Sequence, residues 1–371
     1  MKVCVSVALL LALTAFAAGQ DCVQEDNCVA AEGCRCLSTA SPIATGSTPQ
    51  FVTISFNDAI SEANYVNYYQ RLFDGRVNPD GNPATGTFFV PHEYTDYSRV
   101  NSLYRSGQEI AVHTISKNPS SDYWRTAEED TLVEEFEGQR TIISRFANIP
   151  ASSIRGARVP NFELAGDTLF RAYARAGVEY DATITTRASD RYFPFTLDIP
   201  NQVPCQIGEC PANPHPGIWA APIIDLIGDG VECNNLQACR IAGTAEEIAD
   251  WLTEQFEVQY QGDRAPINLV ASAAWFLTTQ DGFDGLSLFL DRLSSYNDVF
   301  LVSNSQVIDW MNNPVPINQV NTDVGDRLAG CTRLSCPVQK GEEIRYMVSC
   351  VQCPAVFPWL GNPLGLEEEE E

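Results

Sequence analysis

The stretch QFVTISFNDAI, residues 50–60, decides how the rest of the chain is read. Gln50 to Phe56 is apolar and rich in β-branched and aromatic residues, the mark of a buried strand. It ends in a polar pair, Asn57-Asp58, and runs on into SEANYVNYYQRLF, whose apolar residues fall at helical spacing. A strand that passes through a polar tip into a helix is the first half of a βα unit. The same alternation continues through TGTFFVP and SRVNSLYRSG, QEIAVHT and TAEEDTLVEEFEGQRTIISRFANI, SIRGARVP and GDTLFRAYARAG, and VEYDATIT. A Pro-, Gly- and Cys-rich break over 187–237 contains one more strand, GIWAAPI. The pattern then resumes with the helix GTAEEIADWLTEQFEVQY, the strand APINLVASAAWF, the helix DGLSLFLDRLSSY, and VFLVSNSQVIDW, a strand running into a helix. Repeated βα units demand a parallel sheet. About seven units in roughly 270 residues predict an α/β fold, a closed or nearly closed (β/α) barrel rather than an open sheet. Functional side chains then belong at the C-terminal ends of the strands, where NDA and HTISK fall. In the long acidic helix, Thr126 is the expected N-cap, with Glu129 completing a capping box.

The ends of the chain read differently. Residues 1–19 combine Lys2, a short apolar run and a small-residue AFAAG, which predicts a secretory signal peptide. Cys4 falls within it and leaves twelve of the 13 cysteines. An even count in a secreted chain predicts disulfides rather than thiolate–metal ligation, despite the CRC and CVQC spacings. Four cysteines lie near each end and four in the central break, so bridges should staple a Cys-rich extension (20–48), the break, and a Cys-rich tail (319–371). Short spacing suggests the pairs Cys205–Cys210 and Cys233–Cys239. The barrel itself is expected over 49–318. The formal charge of −25 argues against nucleic acid and anionic membrane as partners and is compatible with a neutral polysaccharide. The terminal EEEEE reads as a solvated tail. A secreted monomer is expected.

Residues able to do acid–base or metal chemistry are scarce. There are three histidines, His92, His113 and His215. No G-x-S-x-G elbow and no Gly-rich phosphate loop after the first strand is present.

The ordered blocks SFNDA, TGTFFVPHEYTDY, GQEIAVHTISK, RGARVPNF, EYDATIT, FPFTLDIPNQVPC, CPANPHPGIWAAP, APINLVASAAWF and FPWLGNPLG resemble the arthropod chitin deacetylases of the polysaccharide deacetylase (carbohydrate esterase 4, NodB-type) family. The resemblance spans about Gln50 to Gly365 and itself implies a distorted (β/α) barrel. CVQEDNCVAAEGCRC is too short for a separate chitin-binding module, which resembles the single-domain, gut-associated members. The family hydrolyses acetamido groups with a metal, usually zinc, that polarises the carbonyl and acidifies a water. An Asp base removes the water proton and a His acid protonates the leaving amine.

Carried over by motif, the resemblance places the family's base Asp on Asn57 and its metal-binding Asp on Asp58. The first ligand His falls on His113 and the second on Lys117. The Arg that supports the base falls on Arg158, and the acid His on Ser272. An amide cannot take a proton at neutral pH, an ammonium cannot ligate zinc, and a serine hydroxyl is no acid. Two protein ligands fall short of the three a catalytic zinc normally takes. The resemblance therefore implies a pseudoenzyme lacking zinc that keeps a groove for chitin or chito-oligosaccharide in gut lumen, peritrophic matrix or cuticle. The alternatives are an active deacetylase with a variant site, and a secreted structural protein that binds no sugar. Trp219 and Tyr180 are candidate faces for a sugar ring, and Trp275 is expected in the core. An ion pair between Lys117 and Asp58 is expected where the metal would sit, against the plainer reading of Lys117 pointing into solvent. His92 is expected to be structural, which leaves His215, on a loop, as the spare histidine to be tested against the site.

Overall fold

A computed structural model describes residues 21–367. The expected signal peptide and the last four glutamates lie outside the described residues.

Strand Gln50–Phe56 is buried along its whole length, because helices and neighbouring strands cover both of its faces. It is also the hub of a nine-stranded sheet. One edge pairs in parallel with Ile267–Ala271. The other edge serves two partners, Val299–Leu301 along its first half and Thr87–Val90 along its second. The sheet continues through Glu109–Val112, Gly156–Ala157, Tyr180–Asp181 and Trp219–Ala220, all parallel. Phe195–Thr196 closes the row as the antiparallel member. The result is a half-barrel wrapped by amphipathic helices, the (β/α) architecture expected from the sequence.

Local chemistry explains most boundaries. Helix Ala245–Tyr260 starts at a full capping box made by Thr244 and Glu247, and helix Gly166–Ala176 stops at Gly177, whose φ of 67° suits glycine. Two boundaries differ from expectation. Thr126 does not cap the long helix: it ends a separate helix, Ser121–Thr126, and its hydroxyl donates to Asp122 O at 2.7 Å. Burial of Trp124 favours that extra turn, and helix Glu129–Ala147 starts after Glu128 with no side-chain cap. The APINLVASAAWF stretch is a strand only to Ala271, because Ser272 caps a new helix, Ala273–Thr278.

All twelve cysteines among the described residues are bridged: Cys22–Cys36, Cys28–Cys34, Cys205–Cys210, Cys233–Cys239, Cys331–Cys350 and Cys336–Cys353. Both pairs suggested by spacing form. The C-terminal segment is more ordered than a tail, since Leu334–Lys340 and Glu343–Ser349 make an antiparallel hairpin. Among the described residues no helix is long and apolar enough to cross a membrane.

Candidate functional site

The barrel geometry gathers the motif residues on one rim. Asn57, His113, Arg158 and Ser272 each stand one residue beyond the C-terminal end of their strand. Asp58 follows Asn57, and Lys117 sits on the loop after His113. That loop is braced from behind by Glu135 on the long helix, which accepts from the backbone N–H groups of Ile115 and Ser116, both at 2.9 Å. Thr114 and Lys117 both take left-handed backbone conformations within it. No sequence signal marked Glu135 as a brace.

Arg158 organises the centre. It is 1% exposed, with Nε donating to Ala182 O at 2.7 Å and Nη1 donating to Ser55 Oγ and to Asn57 Oδ1, each at 2.9 Å. Its guanidinium also lies over the Phe89 ring, 4.0 Å from the centroid. Burial pushes its pKa down to about 9, against the opposing pull of nearby Tyr180, Asp181 and Tyr173. The arginine that would steady a carboxylate base thus steadies a neutral amide.

His113 is buried, and its Nδ1 pairs with Arg158 O at 2.9 Å. A carbonyl can only accept, so Nδ1 carries the hydrogen and Nε2 keeps its lone pair. Burial, and then the nearby Lys117 charge, push the imidazole well below its ordinary pKa, so it is neutral. Asp58 Oδ2 accepts from Ala273 N at 2.7 Å and from the Tyr69 hydroxyl at 3.5 Å. Burial pushes the Asp58 carboxyl upward, partly offset by Ala273 and by the Lys117 charge.

Lys117 does turn into the mouth, but the expected ion pair with Asp58 does not form. The ammonium donates instead to the backbone carbonyl of Asn57 at 2.6 Å. It stays within electrostatic reach of Asp58, and desolvation pushes its pKa down. The carbonyl wins because it offers a direct acceptor, while Asp58 is already held by Ala273 N and Tyr69. Ser272 acts as a helix cap: its Oγ accepts from Trp275 N at 3.0 Å and faces Gln237 Oε1 at 3.4 Å.

The remaining candidates lie elsewhere. His92 pairs through Nδ1 with the Tyr97 hydroxyl at 2.7 Å, and burial pushes it down to about 3, as fits a structural histidine. His215 is held away from the mouth by Asp167 Oδ1 at 2.9 Å. Tyr180 and Trp219 do not offer faces to a sugar. Tyr180 is fully buried with its hydroxyl on Glu109 Oε1 at 2.8 Å, and Trp219 is 6% exposed within the core. Trp275 is likewise buried.

Zinc is the metal this arrangement has to be tested against. Asp58 and His113 offer two donors, and the position for a third presents a cation. This donor set does not fit a catalytic zinc centre. Among the described residues, the close grouping of three metal-ligating atoms is Cys22, Cys28 and Cys36, all committed to disulfides.

Comparison with known proteins agrees with the resemblance. Chitin deacetylase 8 of Bombyx mori is 36% identical over 348 residues, covering 90% of each chain. The chain belongs to the chitin deacetylase family. Chitin deacetylase 1 of the same species is 32% identical, covering 85% of this chain and 63% of its own length. No family model matches the chain. Solved structures overlap more loosely. A probable polysaccharide deacetylase from Pseudomonas aeruginosa gives a TM-score of 0.46 at 11% identity, over 71% of this chain and 91% of that one. A CE4 family pseudoenzyme from Bacillus anthracis gives 0.40 at 8% identity, over 71% and 66%. Neither overlap is close enough to bear on function.

Proposed function

We propose that this member of the chitin deacetylase family is a secreted protein that does not deacetylate, holds no catalytic zinc, and binds chitin or chito-oligosaccharide in gut lining, peritrophic matrix or cuticle. The observation that carries this reading is the double engagement of Asn57. Its side-chain oxygen accepts from Arg158, and its backbone carbonyl accepts from Lys117. An amide thus occupies the base position while an ammonium reaches in from the position of a metal ligand. The proton taken from water has no acceptor there, and the leaving amine meets a helix-capping serine instead of an imidazolium. The six disulfides support secretion, and the acidic surface is compatible with a neutral glycan partner and a monomer.

The test measures bound zinc and acetate release from chito-oligosaccharide on the purified protein, beside the triple variant Asn57→Asp, Lys117→His, Ser272→His. The expected result is no stoichiometric zinc and no acetate from the natural chain, with zinc gained by the variant. Tight stoichiometric zinc together with acetate release from the natural chain would establish the active-variant reading instead. Absence of co-sedimentation with chitin would leave a structural protein that binds no sugar.

A further inference from the structure

The C-terminal hairpin builds a second concave site on the same side of the barrel as the altered mouth. The loop 91–96 emerges from the C-terminal end of strand Thr87–Val90, next to the loop that carries Asn57 and Asp58. Asp96 N donates to Ile60 O at 2.8 Å, which ties the two loops together. The hairpin docks onto this rim through a bridge between Val348 and Asp96. Between loop and hairpin lies a cavity of about 290 Å³, with Glu93, Tyr94, Arg345, Tyr346 and Phe357 in its lining. That size is at the small end for ligand pockets and suits one or two sugar rings rather than a protein segment.

Two features of the lining have no explanation in folding. Tyr94 is 77% exposed and sits at φ 65°, a left-handed conformation that disfavours a bulky residue. Its ring adds little to the core, and its backbone would be easier for glycine or asparagine. Tyr346 is 79% exposed on the outward face of the hairpin. Two phenol rings are therefore presented to solvent beside a polar cluster. In that cluster Glu93 Oε1 accepts from Arg345 Nη2 at 2.6 Å and Lys340 Nζ at 3.2 Å, while Lys340 rests 3.1 Å from the centroid of Trp359. The polar groups are fixed in place and offer both donors and acceptors.

We infer that this groove is a sugar-binding subsite, in which Tyr94 and Tyr346 carry the apolar faces of β-linked N-acetylglucosamine rings and the Glu93–Arg345 pair hydrogen-bonds their hydroxyl and acetamido groups. Rigid amphipathic rings beside fixed polar groups match a neutral ring that has C–H faces and a hydroxyl rim. The groove and the mouth lie on neighbouring loops of one rim. The inference rests on the proposal that the protein binds chitin, and it moves part of the binding away from the altered mouth.

The experiment titrates chitohexaose by calorimetry into the natural protein, Tyr94→Ala/Tyr346→Ala and Tyr94→Phe/Tyr346→Phe, with melting temperatures recorded for each. The expected result is a loss of about tenfold or more in the alanine pair and near-natural affinity in the phenylalanine pair. Natural affinity in the alanine pair would overturn the subsite and leave chitin binding intact. No binding by the natural chain would remove both proposals. Hydrogen exchange on the natural protein gives a readout free of mutation: chitohexaose should protect 93–95 and 344–346, and protection confined to the mouth loops would overturn the subsite.

Discussion

Lys117 and Asn57 are joined by a 2.6 Å hydrogen bond from the ammonium to the backbone carbonyl, while Arg158 holds the side-chain oxygen of the same asparagine at 2.9 Å. Two cations therefore converge on one neutral residue. Asp58 answers Lys117 only through space, and Asp181 acts on Arg158 in the same way.

Restoring the carboxylate should stabilise the fold. In Asn57→Asp, Arg158 Nη1 would meet an anion at the position where it now meets an amide, and a buried charge would gain its counter-ion. The expected gain at pH 7 is on the order of 1–3 kcal/mol, read as a higher melting temperature, with Asn57→Leu shifting the opposite way. A lower melting temperature for Asn57→Asp would refute the idea that Arg158 lacks a directly bonded counter-charge.

Asp225 should destabilise the protein at neutral pH. It is 7% exposed, accepts from Gln206 Nε2 at 3.2 Å through Oδ2, and leaves Oδ1 without a partner. Burial pushes its pKa up to about 6 from 3.8. A folded value above the unfolded one means stability that is full below 3.8 and is lost as pH rises through about 6. Asp225→Asn should then be more stable than the natural chain at pH 7 by roughly 1–3 kcal/mol, with the difference vanishing in acid. Denaturant titrations at pH 7 and pH 3.5 check this, and a pH-independent difference would contradict it.

Asp167 has the opposite sign. It accepts from Ala212 N and Asn213 N at 3.0 Å, from Asn213 Nδ2 at 2.7 Å and from His215 Nε2 at 2.9 Å. Burial works against ionisation, yet these hydrogen bonds outweigh it and hold the carboxyl down at about 2. The stability it supplies is present above 3.8 and lost as pH falls through about 2. Asp167→Asn should lose on the order of 1–3 kcal/mol at neutral pH and open the 211–217 loop to limited proteolysis. An uncut loop with an unchanged melting temperature would show that the cluster is not what holds it.

The βα pattern was enough to put Asn57-Asp58 and the HTISK segment at strand ends, where side chains of a barrel face one way. Arg158 and Ser272 lay inside expected strands, and only the family resemblance gave them a place in the site. Less legible was what each side chain touches. Lys117 takes a carbonyl rather than a carboxylate, from a loop that Glu135 braces across from a distant helix. Tyr180 and Trp219 looked available for sugar because aromatic residue types suit both stacking and cores, and only burial separates the two uses. The hairpin over 334–349 falls in the segment expected to be a Cys-rich tail, and Pro337 is a residue that argues against a strand. Pro337 is tolerated because a two-stranded ribbon is all edge.

The six disulfides have a consequence for biogenesis. Every partner lies between 5 and 19 residues from its mate. No crosslink therefore has to wait for Gln50–Phe56 to find Ile267–Ala271 across the chain. The rival thiols of each bridge are close neighbours: Cys22, Cys28, Cys34 and Cys36 crowd one stretch, and Cys331, Cys336, Cys350 and Cys353 another. Oxidation and barrel closure thus become separable events, and any mispairing stays local.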